Sequence, residues 1–145
     1  MPYPMSSQAY LDRRTVTGET AEAIKAEMES IIAGKNATWE IKNLHRKSWT
    51  GMDIKYKPFH LAWEIDPDHK LSRTCAASYR QFFGKEPGYD YWDFSTNAVT
   101  PVSMGIPSIG FGPGIYKLAH CPNENCAIEK ILEACGFYIT LINNL

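Results

Sequence analysis

The sequence lacks any long apolar run, any excess of one charge, and any cysteine framework. Stretches such as Ile139 to Ile142 fall far short of the roughly 20 residues a membrane span needs. The opening MPYPMSSQAY has no basic region followed by an apolar one, so a secretory signal is not expected and the chain reads as cytoplasmic. Fifteen basic residues stand against 16 acidic ones. That balance gives no electrostatic footprint for nucleic acid or an anionic membrane. The cysteines, Cys75, Cys121, Cys126 and Cys135, read as free thiols in a chain without a signal. Cys121 and Cys126 lie close to His120 and invite a zinc reading, but no second Cys or His pair stands at ligand spacing. What is present, 44% hydrophobic and 21% charged residues over 145 positions, is the balance of a globular protein of one domain or parts of two. It excludes disorder, collagen and coiled coil.

No internal repeat occurs, and glycine and proline gather at a few turns and in one run near the C-terminus. Gln8 to Val16 reads as a strand ending in charge, and Thr17-Gly18-Glu19-Thr20 supplies turn and N-cap chemistry for a helix. Ile24, Met28 and Ile31 share one face of that helix, with Gly34 just past its end. Thr38 to Lys42 reads as a second strand. Trp49-Thr50-Gly51 suggests a turn before a further strand at Met52 to Tyr56. Asp66-Pro67 is a helix start, with Leu71, Cys75, Tyr79 and Phe82 as the buried stripe and Gly84 as the stop. Tyr89 to Phe94 is β-like, and Ile106 to Phe111 is an apolar run of the kind found inside a parallel sheet. A last helix, about Ile128 to Ile142, is expected to turn Ile128, Ile131, Leu132, Cys135, Tyr138 and Ile142 inward. The order of elements makes an α/β chain, divided near Lys57 to Glu64.

Several segments could carry chemistry. Gly110-Phe111-Gly112-Pro113-Gly114 follows a strand-like run, where ligands collect in open α/β sheets, and glycines there let backbone N–H groups approach. It is neither a dinucleotide fingerprint nor a P-loop, and a plain tight turn would look the same. His120 offers an imidazole suited to zinc, or is a loop histidine satisfied by hydrogen bonds. Ser95, Thr96 and Asn97 offer hydroxyl and amide groups at another strand end, but such residues also close turns. Asp12-Arg13-Arg14 is a solvated charge cluster, or it reserves one guanidinium for a carboxylate.

Taken in order, Asp12-Arg13-Arg14 with Gly18-Glu19-Thr20, Phe94-Ser95-Thr96-Asn97, Gly105 to Gly114 and Ala119-His120-Cys121-Pro122-Asn123-Glu124 resemble the M20 metallopeptidases. That family includes aminoacylase-type and succinyl-diaminopimelate-type amidohydrolases. Ser48-Trp49-Thr50-Gly51, the Phe-Ser-Thr-Asn tetrad and Phe82 to Pro87 look most similar to hydrolases attributed to selenium metabolism. The resemblance runs from about Tyr3 to the C-terminus. It implies a two-zinc catalytic α/β domain, with cobalt or manganese as alternative metals, and an inserted β-α-β-β-α-β lid that dimerises. Residues 1–59 would be the second half of the lid, and residues 60–145 the C-terminal part of the catalytic domain. By the same resemblance His120 would be one metal ligand and Arg14 would grip a substrate carboxylate. Ser95, Thr96, Asn97, Gly112 and Gly114 would line the site for a small peptide or N-acyl amino-acid-like substrate.

The family's His-x-Asp motif, bridging Asp and Glu-Glu pair are absent from these residues. A two-zinc hydrolase needs several carboxylates and histidines and a carboxylate base, so the chain is expected to be inactive alone and to hold at most one weakly bound metal. The expected function is therefore the C-terminal portion of a zinc-dependent hydrolase of amide or peptide bonds, awaiting an N-terminal complementing chain. A stand-alone binding or dimerisation module derived from the fold is the alternative, and it predicts a closed core. An independent enzyme using His120 and Glu124 as acid and base lacks a nucleophile and a second ligand set.

Overall fold

A computed structural model describes residues 6–145; Tyr3, where the resemblance begins, lies outside them. The chain is mixed α/β and divides into two compact units, the first ending at Trp63 and the second running from Glu64 to Leu145.

In the first unit, helix α1 spans Ala21–Ile32. The Thr20 hydroxyl caps it by accepting from the Ala23 N–H at 3.1 Å. Gly34 follows its end with φ +69°, the left-handed conformation that glycine adopts without a Cβ penalty. Ile24 is buried and Met28 half-buried, but Ile31 is exposed and Ile32, one turn beyond Met28, takes the inward place. The exact i, i+4 row of 24, 28 and 32 wins over the i+3 step to 31. Strands β1 (Leu44–Lys47) and β2 (Asp53–Tyr56) form an antiparallel hairpin that pairs Leu44 with Tyr56 and Lys47 with Asp53. Its turn is closed by Gly51 N–H to Ser48 O at 2.9 Å and Ser48 N–H to Met52 O at 2.8 Å, with Gly51 at φ +85°. Trp49 stands exposed at the tip.

The second unit is built on two helices, α2 (Lys70–Phe83) and α4 (Ile128–Asn144), which pack on each other; the short α3 (Val99–Ser103) lies between them in sequence. Helix α2 starts later than expected from Asp66-Pro67. Asp66 instead makes a turn, its carboxylate accepting from Asp68 N–H at 2.8 Å, and the cap is His69, whose Nδ1 accepts from Leu71 N–H at 3.1 Å. Gly84, at φ +68°, ends the helix. Ser72, Cys75, Ala76 and Ser78 form the buried face of α2, small side chains that let α4 approach closely, while Phe82 sits partly exposed at its edge with its ring over Gly136 of α4. Phe137 of α4 is 1% exposed and sits among Phe111, Tyr79 and Phe83, with ring centroids at 4.3, 5.9 and 6.1 Å. Asn144 Nδ2 donates to Ser78 Oγ and Gln81 Oε1, both at 2.9 Å, so the polar groups at the end of this interface are paired.

Two sequence expectations are overturned here. Ile128, Ile131, Leu132, Cys135 and Ile142 face outward, Tyr138 lies at the edge with its ring against Phe111 and Phe137, and the inward face of α4 carries Ala134 and Phe137. Both faces of this helix are apolar, so periodicity alone could not choose between them. The segments Gln8 to Val16, Thr38 to Lys42, Tyr89 to Phe94 and Ile106 to Phe111 are extended or irregular rather than strands. A strand is defined by a neighbour that takes up its N–H and C=O groups, and among the described residues the one ladder is β1 with β2.

Candidate functional site

The segments expected to carry chemistry in the second unit meet around the Phe94 ring. Trp92, Tyr116 and His120 all stack on Phe94, with centroid separations of 5.5, 5.6 and 5.8 Å and interplanar angles of 19°, 25° and 24°. Near-parallel stacking of this kind orients a ring as well as burying its face. Tyr116 belongs to a short 3₁₀ turn, Tyr116–Leu118, and its hydroxyl accepts from the Asp93 N–H at 2.9 Å. Hydrogen bonding to the neighbouring Asp93 carboxyl raises the Tyr116 hydroxyl above the ordinary tyrosine range.

His120 stands in the left-handed region, φ +62°, unusual for a residue with a side chain. Its N–H donates to Glu124 Oε2 at 3.1 Å, and Glu124 N–H donates to Cys121 O at 3.1 Å, closing a tight loop through Asn123, also left-handed at φ +64°. Cys126 Sγ reaches Pro113 O at 3.4 Å and ties this loop to the glycine run. The imidazole is exposed and is oriented by Phe94 on one side and the Glu124-held backbone on the other.

The other predicted site residues separate by role. Thr96 closes the turn that leads into α3, its Oγ1 accepting from Ala98 N–H at 3.2 Å, while Asn97 O accepts from Thr100 N–H at 3.2 Å; Ser95 adjoins the Phe94 stack in sequence. Gly112 and Gly114 face open space, whereas a Cβ on Gly110 would run into the Trp92 ring. Gly110 is thus the glycine of this run that a close approach demands. Arg14 belongs to the first unit, exposed, with Nε 3.4 Å from Asp12 Oδ1. Its neighbour Arg13 is committed to Glu19 and Glu27, each at 2.6 Å. Hydrogen bonds from Arg13 and from the Val16 N–H hold the Glu19 carboxyl below its ordinary range. The orienting roles of Trp92 and Tyr116 had no signal in the sequence beyond an aromatic-rich run, and Glu124, singled out beside His120, holds the loop backbone.

As a donor set these residues do not make up a zinc site. Among the described residues no three His, Cys, Asp or Glu side chains come together as a metal would require. The Cys121 thiol reaches Lys117 O and the Cys126 thiol Pro113 O, so both are turned to backbone carbonyls. No helix among them is long and apolar enough to cross a membrane.

The arrangement is that of an oriented, exposed histidine beside a glycine-containing loop in a unit whose regular elements are helices. The chain is similar to the uncharacterized protein YgeY of Escherichia coli K12, with 35% identity over 134 residues covering 90% of this chain, and equally to YgeY of E. coli O157:H7. It spans about a third of the length of these curated relatives, 33% in each case. No family model matches the chain, and no solved structure does.

Proposed function

We propose that this chain is the C-terminal portion of an M20-type, metal-dependent hydrolase of amide or peptide bonds, and that it requires the rest of the fold to act. The observation that carries the hydrolase part of the reading is the order of the motifs from Asp12-Arg13-Arg14 to His120-Cys121-Pro122-Asn123-Glu124; that the chain is a portion of something longer is supported by a match over 90% of the chain that fills only 33% of the relative. The extended segments without ladder partners and a helix apolar on both faces support an incomplete fold rather than a closed binding module. On this reading the first unit is half of the lid, through which two copies associate, and the second is the end of the catalytic domain. His120 contributes one ligand to a metal, zinc or else cobalt or manganese, whose other ligands and carboxylate base lie in the missing portion. Exposed Arg14 takes a substrate carboxylate. Ser95, Thr96, Asn97, Gly112 and Gly114 face a small peptide or N-acyl amino acid in a cytoplasmic enzyme.

The test supplies the part of E. coli YgeY outside the match as a separate polypeptide and assays hydrolysis of N-acyl amino acids with and without added zinc. Zinc-dependent activity is expected in the mixture only, and His120→Ala abolishes it. Activity that survives this substitution refutes the ligand assignment, and zinc-dependent activity of the chain alone refutes the requirement for a partner.

A further inference from the structure

Helix α4 carries a second apolar face that nothing in its own unit covers. Ile128, Leu132, Cys135, Ile139 and Ile142 follow one another at spacings of four, three, four and three residues, which keeps them on one stripe. They are exposed, Ile128 at 71%, Leu132 at 65%, Ile139 at 63% and Ile142 at 69%. No charged residue occurs from Ala134 to Leu145, so the C-terminal half of the helix offers water no ionic group. A helix apolar on opposite sides is an inner layer, covered on both.

We infer that the outer stripe of α4 is the docking surface for the polypeptide that makes up the other two thirds of the relatives' length. The identity of that occupant rests on the hydrolase reading; the surface itself does not. A second copy could cover the stripe with its own α4, since the spacing suits a helix partner. That would leave Tyr89 to Phe94 and Ile106 to Phe111 without strand neighbours in the same unit. The Tyr138 hydroxyl donates to the Phe111 carbonyl, so the end of the second of these segments lies against α4. One large additional polypeptide satisfies both needs at once, and the relatives carry one of the required size.

Cys135 lies in the middle of the stripe and is exposed, which makes it a reporter. The full chain is labelled with a maleimide and the modified sites are read by mass spectrometry, alone and with the YgeY polypeptide outside the match; co-purification is measured on the same samples without zinc or substrate. Cys135 is expected to label freely in the chain alone and at least tenfold more slowly in the mixture. Leu132→Glu and Ile139→Glu, at exposed positions and checked for an unchanged circular dichroism spectrum, should weaken association at least tenfold and restore labelling. If Cys135 is already protected in the chain alone, a second copy or the first unit covers the stripe and the inference fails. Association unaffected by the two substitutions, or none at all, also overturns it. A complex that assembles through this stripe but hydrolyses nothing with zinc would instead sink the hydrolase reading and leave the docking surface standing.

Discussion

Replacing Phe137 by alanine should unfold the second unit, whereas replacing Ile139, two residues further along the same helix, should hardly be felt. Phe137 is 1% exposed, and its ring meets Phe111 at 4.3 Å, Tyr79 at 5.9 Å and Phe83 at 6.1 Å. Truncating such a ring removes its transfer free energy and leaves a cavity, costing about 3–5 kcal/mol. A unit of roughly 80 residues has about 4–12 kcal/mol of stability in total at 0.05–0.15 kcal/mol per residue. With Cys75, Ala76, Ala134 and Phe137 as its buried apolar side chains, this one belongs at the lower end. The Phe137→Ala variant should therefore retain about 1 kcal/mol or less and populate the unfolded state at room temperature. Ile139, 63% exposed, loses little contact on truncation, and alanine is the better helix former, so the expected change lies within about 0.5 kcal/mol. Urea unfolding followed by circular dichroism compares them. Equal midpoints for the two variants, or a Phe137→Ala midpoint close to that of the parent chain, would refute this assignment of the inner and outer faces of α4.

Other consequences are as direct. Because Glu19 is held below its ordinary pKa by Arg13 and the Val16 N–H, its contribution is complete above the unfolded carboxyl pKa and is lost as pH falls through the lower folded value; urea midpoints of the first unit should drop on acidification, and Glu19→Gln should flatten that dependence, an unchanged slope counting against it. Burial raises the Cys75 thiol, so it should alkylate far more slowly at neutral pH than exposed Cys121 and Cys126, and comparable rates would contradict its placement. Gly84→Ala, at φ +68°, should cost upwards of about 1 kcal/mol, while Gly112→Ala, with open space before it, should leave the thermal midpoint unchanged. The reverse order in a melting experiment would show that the glycine run is the strained one.

Local signals fixed by one or two residues were legible in the sequence. The Thr20 cap, the left-handed Gly34 and Gly84, and the Ser48 to Gly51 turn each rest on a side chain or glycine acting within four residues of itself. What depended on a neighbour was not. Tyr89 to Phe94 and Ile106 to Phe111 have the composition of strands, but composition supplies only half of a ladder. The outward stripe of α4 has the clearer apolar spacing, yet Phe137, a single large ring able to fill the space between small residues of α2, sets which side turns inward. At the site, His120 and the Phe-Ser-Thr-Asn run were legible as motifs. The stacking of Phe94 with Tyr116 and His120 was not, because it joins residues more than 20 positions apart with no fixed spacing, and Trp92, two residues from Phe94, read only as part of a β-like aromatic run.

The most direct test of the account is the DNA sequence immediately upstream of this reading frame, translated in every frame. The account predicts a neighbouring or continuous coding segment that contains His-x-Asp, an isolated Asp and a Glu-Glu pair, the carboxylate and imidazole groups that His120 lacks around it. Unrelated upstream sequence would contradict it and make the chain a free-standing remnant of the fold.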